Sequence, residues 1–204
     1  MIVDYSGYVK DLFQRSIEAK QKASDVICDD IVAMAELCAD RLAKGGKLML
    51  CGNGGSAADA QHLAAELLVR LRPKVNRQGV AALALAMDSS AMTACGNDYS
   101  YGVFYQRMVQ ALGRPGDVLL GITTSGKSEN VILALQAARE NGIAALGFLG
   151  CDGGPALEHC DLAMVAPSFE TGRIQEIHIT AGHALMELIE EMLIARGYLT
   201  LADA

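Results

Sequence analysis

A histidine and a carboxylate stand four residues apart in the first half of the chain, at His62 and Glu66. On a helix this spacing places both side chains on one face, about one turn apart. Such a pair can ligate one divalent metal ion, and the carboxylate can also act as a base. The same spacing is also typical of a polar surface pair, which is the commoner case on spacing alone.

A glycine-rich loop precedes this pair, with the sequence Gly52-Asn53-Gly54-Gly55-Ser56. Glycine lets the backbone turn sharply and approach a ligand, and Ser56 can cap the helix that follows. The free N–H groups of the first helical turn then form an anion site without any lysine. A tight turn with an ordinary cap explains the loop equally well, and the loop matches neither the dinucleotide-binding motif nor the P-loop.

A second polar loop follows a later apolar run and supplies four hydroxyl groups, one glycine and one lysine. It consists of Thr123, Thr124, Ser125, Gly126, Lys127 and Ser128. Hydroxyl donors at a helix N-terminus can surround a phosphate with help from the helix dipole. An ordinary helix start capped by Ser128 explains the same residues. If both loops open onto one crevice, together they indicate a site for a phosphorylated small molecule.

The last helical segment carries Gln175, His178 and His183 among apolar residues. A histidine in such surroundings is by default a hydrogen-bonded core residue, an interpretation that suits His178. Gln175 and His183 are eight residues apart, which is about 12 Å along a straight helix. They can share a ligand by reaching toward it from both sides, if Gln175 lies before regular helix, or if two subunits contribute.

Five apolar runs separate these motifs and predict strands at residues 48–51, 80–86, 118–122, 144–149 and 162–165. The intervening helices are predicted to begin near Ser56, Ser89, Ser128, Pro155 and Gly172. Because the strands are continuously apolar, both faces of the sheet should be covered, which indicates a three-layer α/β fold with five parallel strands in a doubly wound sheet. A flavodoxin-like strand order of 2-1-3-4-5 would bring both polar loops to one crevice at the carboxyl edge.

Residues 8–44 have apolar side chains at helical spacing and end at Gly45-Gly46. This much helix before the first strand is predicted to cap the core and to pair with another subunit. We therefore expect a single domain over residues 1–204, with an N-terminal helical extension at 1–45 and an α/β core at 46–204.

The chain is acidic and contains few charged residues: 17 Lys and Arg and 24 Asp and Glu among 204 residues, which gives a net charge of −7. No cluster of basic residues offers a surface for nucleic acid or for an anionic membrane. The six cysteines form no C-x-x-C pair, and no apolar stretch reaches the length of a membrane span or a signal peptide. We expect a soluble cytoplasmic protein that binds neither nucleic acid nor membrane.

Four segments stand out for their motifs: CGNGGSAADAQHLAAEL, ALAMDSSAMTACGNDYSYG, LGRPGDVLLGITTSGKSENV and RIQEIHITAGHAL. Together they resemble the sugar isomerase (SIS) family, specifically the phosphoheptose isomerases, from about residue 30 to the C-terminus. The resemblance implies conversion of sedoheptulose 7-phosphate to D-glycero-D-manno-heptose 7-phosphate through an enediol. That step begins the synthesis of ADP- or GDP-heptose for lipopolysaccharide core or capsule. It also implies a cytoplasmic homotetramer with active sites at subunit contacts and one zinc ion per subunit.

The resemblance further implies roles for individual residues. Substrate would be bound by Asn53, Gly54, Gly55, Ser56, Glu66, Asn97, Asp98, Thr123, Thr124, Ser125, Ser128 and Gln175, with the hydroxyl groups holding the phosphate. Zinc would be bound by His62, Glu66, Gln175 and His183. The family often has Ser at the position of Thr123, and a hydroxyl is kept here.

Glu66 and His183 would be the catalytic pair of such an isomerase. Isomerisation needs one carboxylate that reaches both carbons and one acid or base for the oxygens, which suits Glu66 and His183 respectively. A carboxylate bound to zinc is a weaker base, so the two roles of Glu66 are in tension.

Two other hypotheses stay open on the sequence. A relative of these enzymes binds the bacterial replication initiator without catalysis and lacks the catalytic Glu and His, whereas this chain retains Glu66 and His183. An isomerase for a different sugar phosphate is the other alternative, and the motifs do not distinguish it from the first hypothesis.

Overall fold

The computed structural model describes residues 4–201 of the chain. Its helices are α1 (Tyr5–Ser24), α2 (Cys28–Ala43), α3 (Gly55–Ala65), α4 (Ser89–Asp98), α5 (Phe104–Leu112), α6 (Glu129–Glu140) and α7 (Thr171–Ala195). Its strands are β1 (Leu48–Gly52), β2 (Ala82–Ala84), β3 (Val118–Thr123), β4 (Ala144–Gly150) and β5 (Leu162–Ala166). A π-helical turn over Glu66–Arg70 prolongs α3, and short 3₁₀ turns occupy Tyr101–Val103 and Leu157–His159.

The five strands form one parallel sheet in the order β2-β1-β3-β4-β5, which confirms the predicted topology. Gly52 at the end of β1 pairs with Ile122 near the end of β3. The loops that follow these two strands therefore leave the same edge of the sheet side by side. This is the crevice at which open α/β sheets bind their ligands.

The sheet is buried on both faces, which explains why its strands are continuously apolar. In β1, Leu48 and Leu50 point into one core cluster while Met49 and Cys51 point into the other. The first cluster is completed by α2, α3 and α7, and the second by α5 and α6. Helices α3 and α7 thus share one face of the sheet although they lie at opposite ends of the core sequence.

The helical N-terminal region consists of two helices separated at residues 25–27. Helix α2 packs on the sheet through buried side chains such as Met34, Cys38 and Leu42. Helix α1 buries only Ala23 fully. It leaves an apolar stripe exposed, formed by Tyr5, Tyr8, Val9, Phe13 and Ile17.

Two local predictions differ from the structure. Strand β2 spans only Ala82–Ala84 rather than residues 80–86, because it is an edge strand paired on one side alone. The helix predicted near Pro155 is wrong: the chain has room only for the 3₁₀ turn Leu157–His159 before β5 begins. The helix predicted to begin near Ser89 is confirmed as α4, and a second helix, α5, follows it before β3.

All six cysteines lie within the described residues and are free thiols. Two of them, Cys38 and Cys51, are fully buried, and that burial raises the pKa of each to about 12. Within residues 4–201 no helix is both long enough and apolar enough to cross a bilayer.

Candidate active site

The glycine loop after β1 forms the first wall of the crevice. Gly54 has φ +55° and ψ −119°, a backbone conformation that favours glycine, and it is the N-cap of α3. The prediction that Ser56 caps the helix is therefore wrong, because this turn starts the helix one residue before Ser56. Ser56 is instead buried in the first turn, and its N–H donates to the carbonyl of Asn53 at 3.0 Å.

The hydroxyl loop, residues 123–128, forms the second wall between β3 and α6. Ser128 is the N-cap of α6, yet its side chain makes no capping hydrogen bond. Its Oγ lies 3.0 Å from Oγ1 of Thr123 instead, so the two hydroxyls face each other across the loop. Ser125 Oγ accepts the N–H of Lys127 at 3.2 Å, while the Lys127 side chain is exposed. The position of the Ser128 hydroxyl is therefore not explained by side-chain capping of α6.

A pair of asparagines joins the two loops. The amides of Asn53 and Asn130 exchange two hydrogen bonds of 2.8 Å each, and Tyr101 OH donates to Asn53 Oδ1 at 2.7 Å. Asn130 is 4% exposed, so its amide is committed to this contact. Sequence reasoning missed Asn130 and Tyr101 as site residues. An amide two residues after the hydroxyl loop was a signal for Asn130, whereas nothing local marked Tyr101.

The structure brings His62, Glu66 and His183 together at the end of α3. His62 Nε2 lies 2.8 Å from His183 Nε2 and 3.5 Å from Glu66 Oε1. The ligand atoms of all three residues lie within 4.8 Å of one another. His62 is exposed, and the other two are partly buried. This arrangement excludes the interpretation of His62 and Glu66 as an isolated surface pair.

Close packing of α3 against α7 makes this cluster possible. Gly182 on α7 lies against Leu63 on α3: a Cβ at Gly182 would be only 2.7 Å from both Cδ atoms of Leu63. These residues immediately precede His183 and follow His62, respectively. The absence of a side chain at Gly182 therefore lets the two histidines meet.

The donor set fits a divalent metal such as zinc. Ligand atoms around tetrahedral zinc lie about 3.3 Å apart, given Zn–N distances near 2.0–2.1 Å. The 3.5 Å between His62 and Glu66 matches this spacing, and the 2.8 Å between the histidines needs only a small widening. Both Nε2 atoms would have to be unprotonated to act as ligands, with each ring proton on Nδ1.

Gln175, the fourth ligand expected from the resemblance, lies within α7, so the alternative that it precedes regular helix is wrong. Its side-chain amide lies against the glycine loop, where a Cβ at Gly55 would come within 2.5 Å of Gln175 Nε2. Gln175 therefore connects the first turns of α7 to the glycine loop, two turns before His183 on the same helix.

Asn97 and Asp98 are exposed at the end of α4 and bond to each other, with 2.7 Å between Asn97 Nδ2 and Asp98 Oδ1. Among the described hydrogen bonds, none joins either side chain to the two loops or to the cluster. Tyr101, three residues later, makes the contact with Asn53 from this part of the chain.

Two further titratable groups lie near the site. Burial raises the pKa of the Asp59 carboxyl, while the neighbouring His62 and His183 rings oppose this shift. His178 is a core residue: burial lowers its pKa to about 4, and its Nε2 lies 2.9 Å from the carbonyl of Leu149. His178 therefore stays neutral at pH 7 and lies apart from His183 on the same helix.

Comparison with known proteins gives consistent results. Residues 5–150 match the family model of the SIS domain. The chain is 48% identical over 189 residues to the phosphoheptose isomerase of Roseiflexus sp. (strain RS-1), covering 93% of this chain and 95% of the relative. It is 55% identical over 157 residues to that of Paramagnetospirillum magneticum, covering 77% and 81%.

Solved structures agree with the sequence relatives. The phosphoheptose isomerase GmhA from Neisseria gonorrhoeae superposes with a TM-score of 0.86 at 43% identity, covering 92% of this chain and 99% of that one. A phosphoheptose isomerase from Francisella tularensis superposes with a TM-score of 0.88 at 32% identity, covering 93% and 100%.

Proposed function

The chain belongs to the phosphoheptose isomerases of the SIS domain family, and from that premise we propose that it converts sedoheptulose 7-phosphate to D-glycero-D-manno-heptose 7-phosphate. The product would enter the synthesis of nucleotide-activated heptose for lipopolysaccharide core or capsule. The observation that carries the proposal is the convergence of His62, Glu66 and His183, the first two of which lie on the helix and turn that follow the glycine loop.

The hydroxyl loop is proposed to hold the substrate phosphate, with Ser56 from the glycine loop. Thr123, Thr124, Ser125 and Ser128 would donate hydroxyl or backbone hydrogen bonds at the N-terminus of α6. The Ser128 hydroxyl makes no capping bond to α6 and lies 3.0 Å from the Thr123 hydroxyl, which supports this role because an anion would replace only their mutual contact. Neutral donors and a helix dipole can hold the anion despite the net charge of −7.

The remaining polar groups of the crevice are proposed to bind the sugar. Asn53, Gly54 and Gly55 would contact it from the glycine loop, and Gln175 would do so from α7. Asn97 and Asp98 are assigned the same role by resemblance alone. Their exposure at the end of α4 leaves their amide and carboxylate groups available to a ligand.

Glu66 is proposed to move the proton between the two carbons, and His183 to serve the oxygens. The Glu66 carboxylate would take a proton from C1 of the ketose and return it to C2 of the enediol. His183 would protonate the C2 oxygen and remove the proton from the C1 oxygen, which leaves the aldehyde. Both side chains are partly buried, so water competes less for the transferred protons.

We propose that zinc binds to His62, Glu66, Gln175 and His183. The ligand atoms of the two histidines and of Glu66 already converge. When bound, zinc supplies Lewis-acid polarisation of the substrate carbonyl. Ligation would stabilise the charged form of the Glu66 carboxylate and weaken it as a base, so its proposed roles as ligand and as base are in tension. Elemental analysis of the purified protein would detect about one zinc per chain, and a chelator would abolish activity until zinc is restored.

The active form is proposed to be a cytoplasmic homotetramer with α1 at a subunit contact. Support comes from the apolar stripe on α1, in which Phe13 is 69% exposed and Tyr5 is 72% exposed. Six free thiols suit a reducing compartment. Light scattering should give four times the 21.5 kDa chain mass for the wild type, and Phe13→Glu should lower the assembly state.

The experiment that tests the proposed reaction is incubation of the purified protein with sedoheptulose 7-phosphate, followed by detection of the aldose product. Glu66→Gln and His183→Ala should each lower kcat by about 10²- to 10⁴-fold. A wild-type protein without turnover would disprove the proposed function. A Glu66→Gln variant with the wild-type rate would leave the isomerase standing but remove Glu66 as the base.

The same assay with other ketose phosphates defines the substrate. A preference of kcat/KM for a different sugar phosphate would assign the enzyme to that substrate. Non-catalytic binding of a replication initiator is disfavoured, because Glu66 and His183 are both present and converge with His62.

A further inference from the structure

A buried ion pair joins the segment after Glu66 to α7. Arg77 Nε donates to Glu190 Oε2 at 2.5 Å, and both side chains are only 1% exposed. Two charges in such a position are costly to bury, and they persist only where hydrogen bonds satisfy their remaining atoms. The other partners of Arg77 therefore indicate what the pair holds in place.

Those partners are backbone carbonyls of the π-helical turn that begins at Glu66. Arg77 Nη2 donates to the carbonyl of Glu66 at 2.9 Å, and Nη1 donates to the carbonyl of Leu67 at 2.9 Å. The carbonyl of Val69 lies farther from Nη1, at 3.4 Å. Carbonyls at a helix C-terminus lack partners within the helix and carry partial negative charge. The Arg77 guanidinium thus caps the end of α3 and its π turn.

Glu190 anchors this cap to the helix that carries His183. His183 and Glu190 are seven residues apart on α7, so they lie on one face of the helix, about two turns from each other. Glu190 also accepts a hydrogen bond from Arg72 Nε at 2.7 Å, and Arg72 pairs with Glu191 as well. Both arginines belong to the connection between the π turn and β2. One buried carboxylate on α7 therefore holds the segment that follows Glu66.

We propose that Arg77 and Glu190 are positioning residues that set the distance between the Glu66 carboxylate and His183. This inference rests on the proposed role of Glu66 as the base. Arg77 restrains the carbonyl of Glu66 itself, and hence the Cα from which the carboxylate extends. π turns inside helices occur frequently at functional sites, and here the turn starts at the proposed base. A misplacement of about 1 Å can cost about 10²-fold in rate.

The main test replaces both charges at once, because removing one partner would leave an unpaired buried charge. Apolar side chains of similar size often replace a buried ion pair without loss of stability. The double variant Arg77→Met/Glu190→Met should therefore remain folded but lose the cap on the π turn. We expect kcat to fall by about 10²-fold while KM changes by less than about threefold, since the hydroxyl loop is not held by this pair.

Lys47→Met is the matched control. This variant removes one partner of the ion pair between Lys47 and the buried Asp117. The pair lies where β1 and β3 begin, at the opposite end of β1 from the glycine loop. This variant should lose stability, measured by thermal unfolding, but keep the wild-type kcat. An equal loss of kcat in Lys47→Met would show that destabilisation alone lowers activity, and it would overturn the positioning role.

A double-mutant cycle separates action through Glu66 from a general effect. In a Glu66→Gln background, the Arg77→Met/Glu190→Met change should lower kcat by less than about twofold, because the group that it positions is already absent. A full additional loss of about 10²-fold would disprove the inference. An unchanged kcat in the Arg77→Met/Glu190→Met variant that retains Glu66 would also disprove the inference.

A second variant keeps the test decisive if the double variant does not fold. Arg77→Lys retains the charge beside Glu190, but one ammonium cannot bond Glu190 and both carbonyls in the fixed fork of a guanidinium. Its kcat should fall by about tenfold, and an unchanged kcat would overturn the proposal. If wild-type protein has no turnover, the proposed function fails first. If Glu66→Gln is inactive while both Arg77 variants are fully active, only the positioning role fails.

Discussion

The hydroxyl loop and the His62–Glu66–His183 cluster are assembled in different ways. The hydroxyl loop is one turn of six consecutive residues, 123–128, between a strand and a helix. The cluster joins His62 and His183, which lie 121 residues apart in the chain. A local turn keeps its geometry when neighbouring helices shift slightly, whereas the cluster depends on how closely α3 and α7 pack.

This difference separates the two tasks of the proposed enzyme. The proposed binding of the phosphate would depend on a local loop and on the dipole of α6. The proposed proton transfer would depend on tertiary contacts at Gly182 and at the Arg77–Glu190 pair. Changes in helix packing should therefore lower kcat, and changes in the loop should raise KM. The following variants test that division, from the largest expected effect on activity to the smallest.

Gly182→Ala should have the largest effect, because its Cβ would meet the buried Leu63 side chain at 2.7 Å. Relief of such overpacking moves α7 away from α3 and typically costs about 1–3 kcal/mol. We expect kcat to fall by about 10²-fold while KM stays nearly constant.

Gly172→Ala is the control on the same helix, since a Cβ there meets nothing within 4 Å. Steady-state kinetics on both variants, with thermal unfolding to verify folding, decides the outcome. A Gly182→Ala enzyme with kcat within twofold of wild type would show that the cluster tolerates helix displacement.

Ser128→Ala should raise KM by about tenfold and change kcat by less than about threefold. The lost hydroxyl is proposed to bond a charged phosphate, and one such hydrogen bond contributes about 1.5–3 kcal/mol. Thr93→Ala is the matched control, because the Thr93 hydroxyl bonds only carbonyls of its own helix, such as that of Ser89. A large loss of kcat in Ser128→Ala, with KM unchanged, would contradict the division of tasks.

Asn130→Ala should lower kcat/KM by about fivefold, which corresponds to about 1 kcal/mol for the net loss of a hydrogen bond. The effect is smaller because Tyr101 still donates to Asn53 and holds the glycine loop in part. Asn141→Ala, at the other end of α6, removes an amide bond to Ala137 and should leave kinetics unchanged. Equal effects of the two variants would argue against a bridge between the loops.

His178→Gln should leave activity at pH 7 unchanged and alter only the dependence of stability on pH. The folded-state pKa of His178 is lowered from 6.5 to about 4, so the unfolded chain binds more protons between these values. Wild-type stability is therefore complete above about pH 6.5, and up to about 3 kcal/mol of it is lost as the pH falls toward 4. Denaturant unfolding at several pH values should give a shallower acid slope for the variant, and parallel slopes would contradict the prediction.

Much of the fold was predictable because it depends on neighbours along the chain. Continuous apolar runs located β1, β3 and β4 to within one residue, since a strand buried on both faces needs apolar side chains throughout. The start of α6 was located by Ser128, because serine is favoured at the residue that precedes a helix. Local errors arose where backbone geometry overrode residue type, as when Gly54 rather than Ser56 capped α3.

The site was predictable in its residue types but not in its assembly. His62 and Glu66 could be paired by their spacing, because four residues make about one helical turn. No spacing related either of them to His183. Asn130, Tyr101 and Arg77 acquire their roles only through partners far along the chain, and their own neighbours in sequence give little indication of them.

The sequence by itself thus determined the parallel sheet, the two polar loops at its carboxyl edge and the donors available there, because these depend on apolar patterning and local turn chemistry. Only the tertiary structure decided that His183 meets His62, and that Arg77 and Glu190 brace the turn after Glu66. The distance between remote residues depends on the fit of whole helix surfaces. In this protein that fit is achieved at Gly182, where the absence of one side chain lets α7 approach α3.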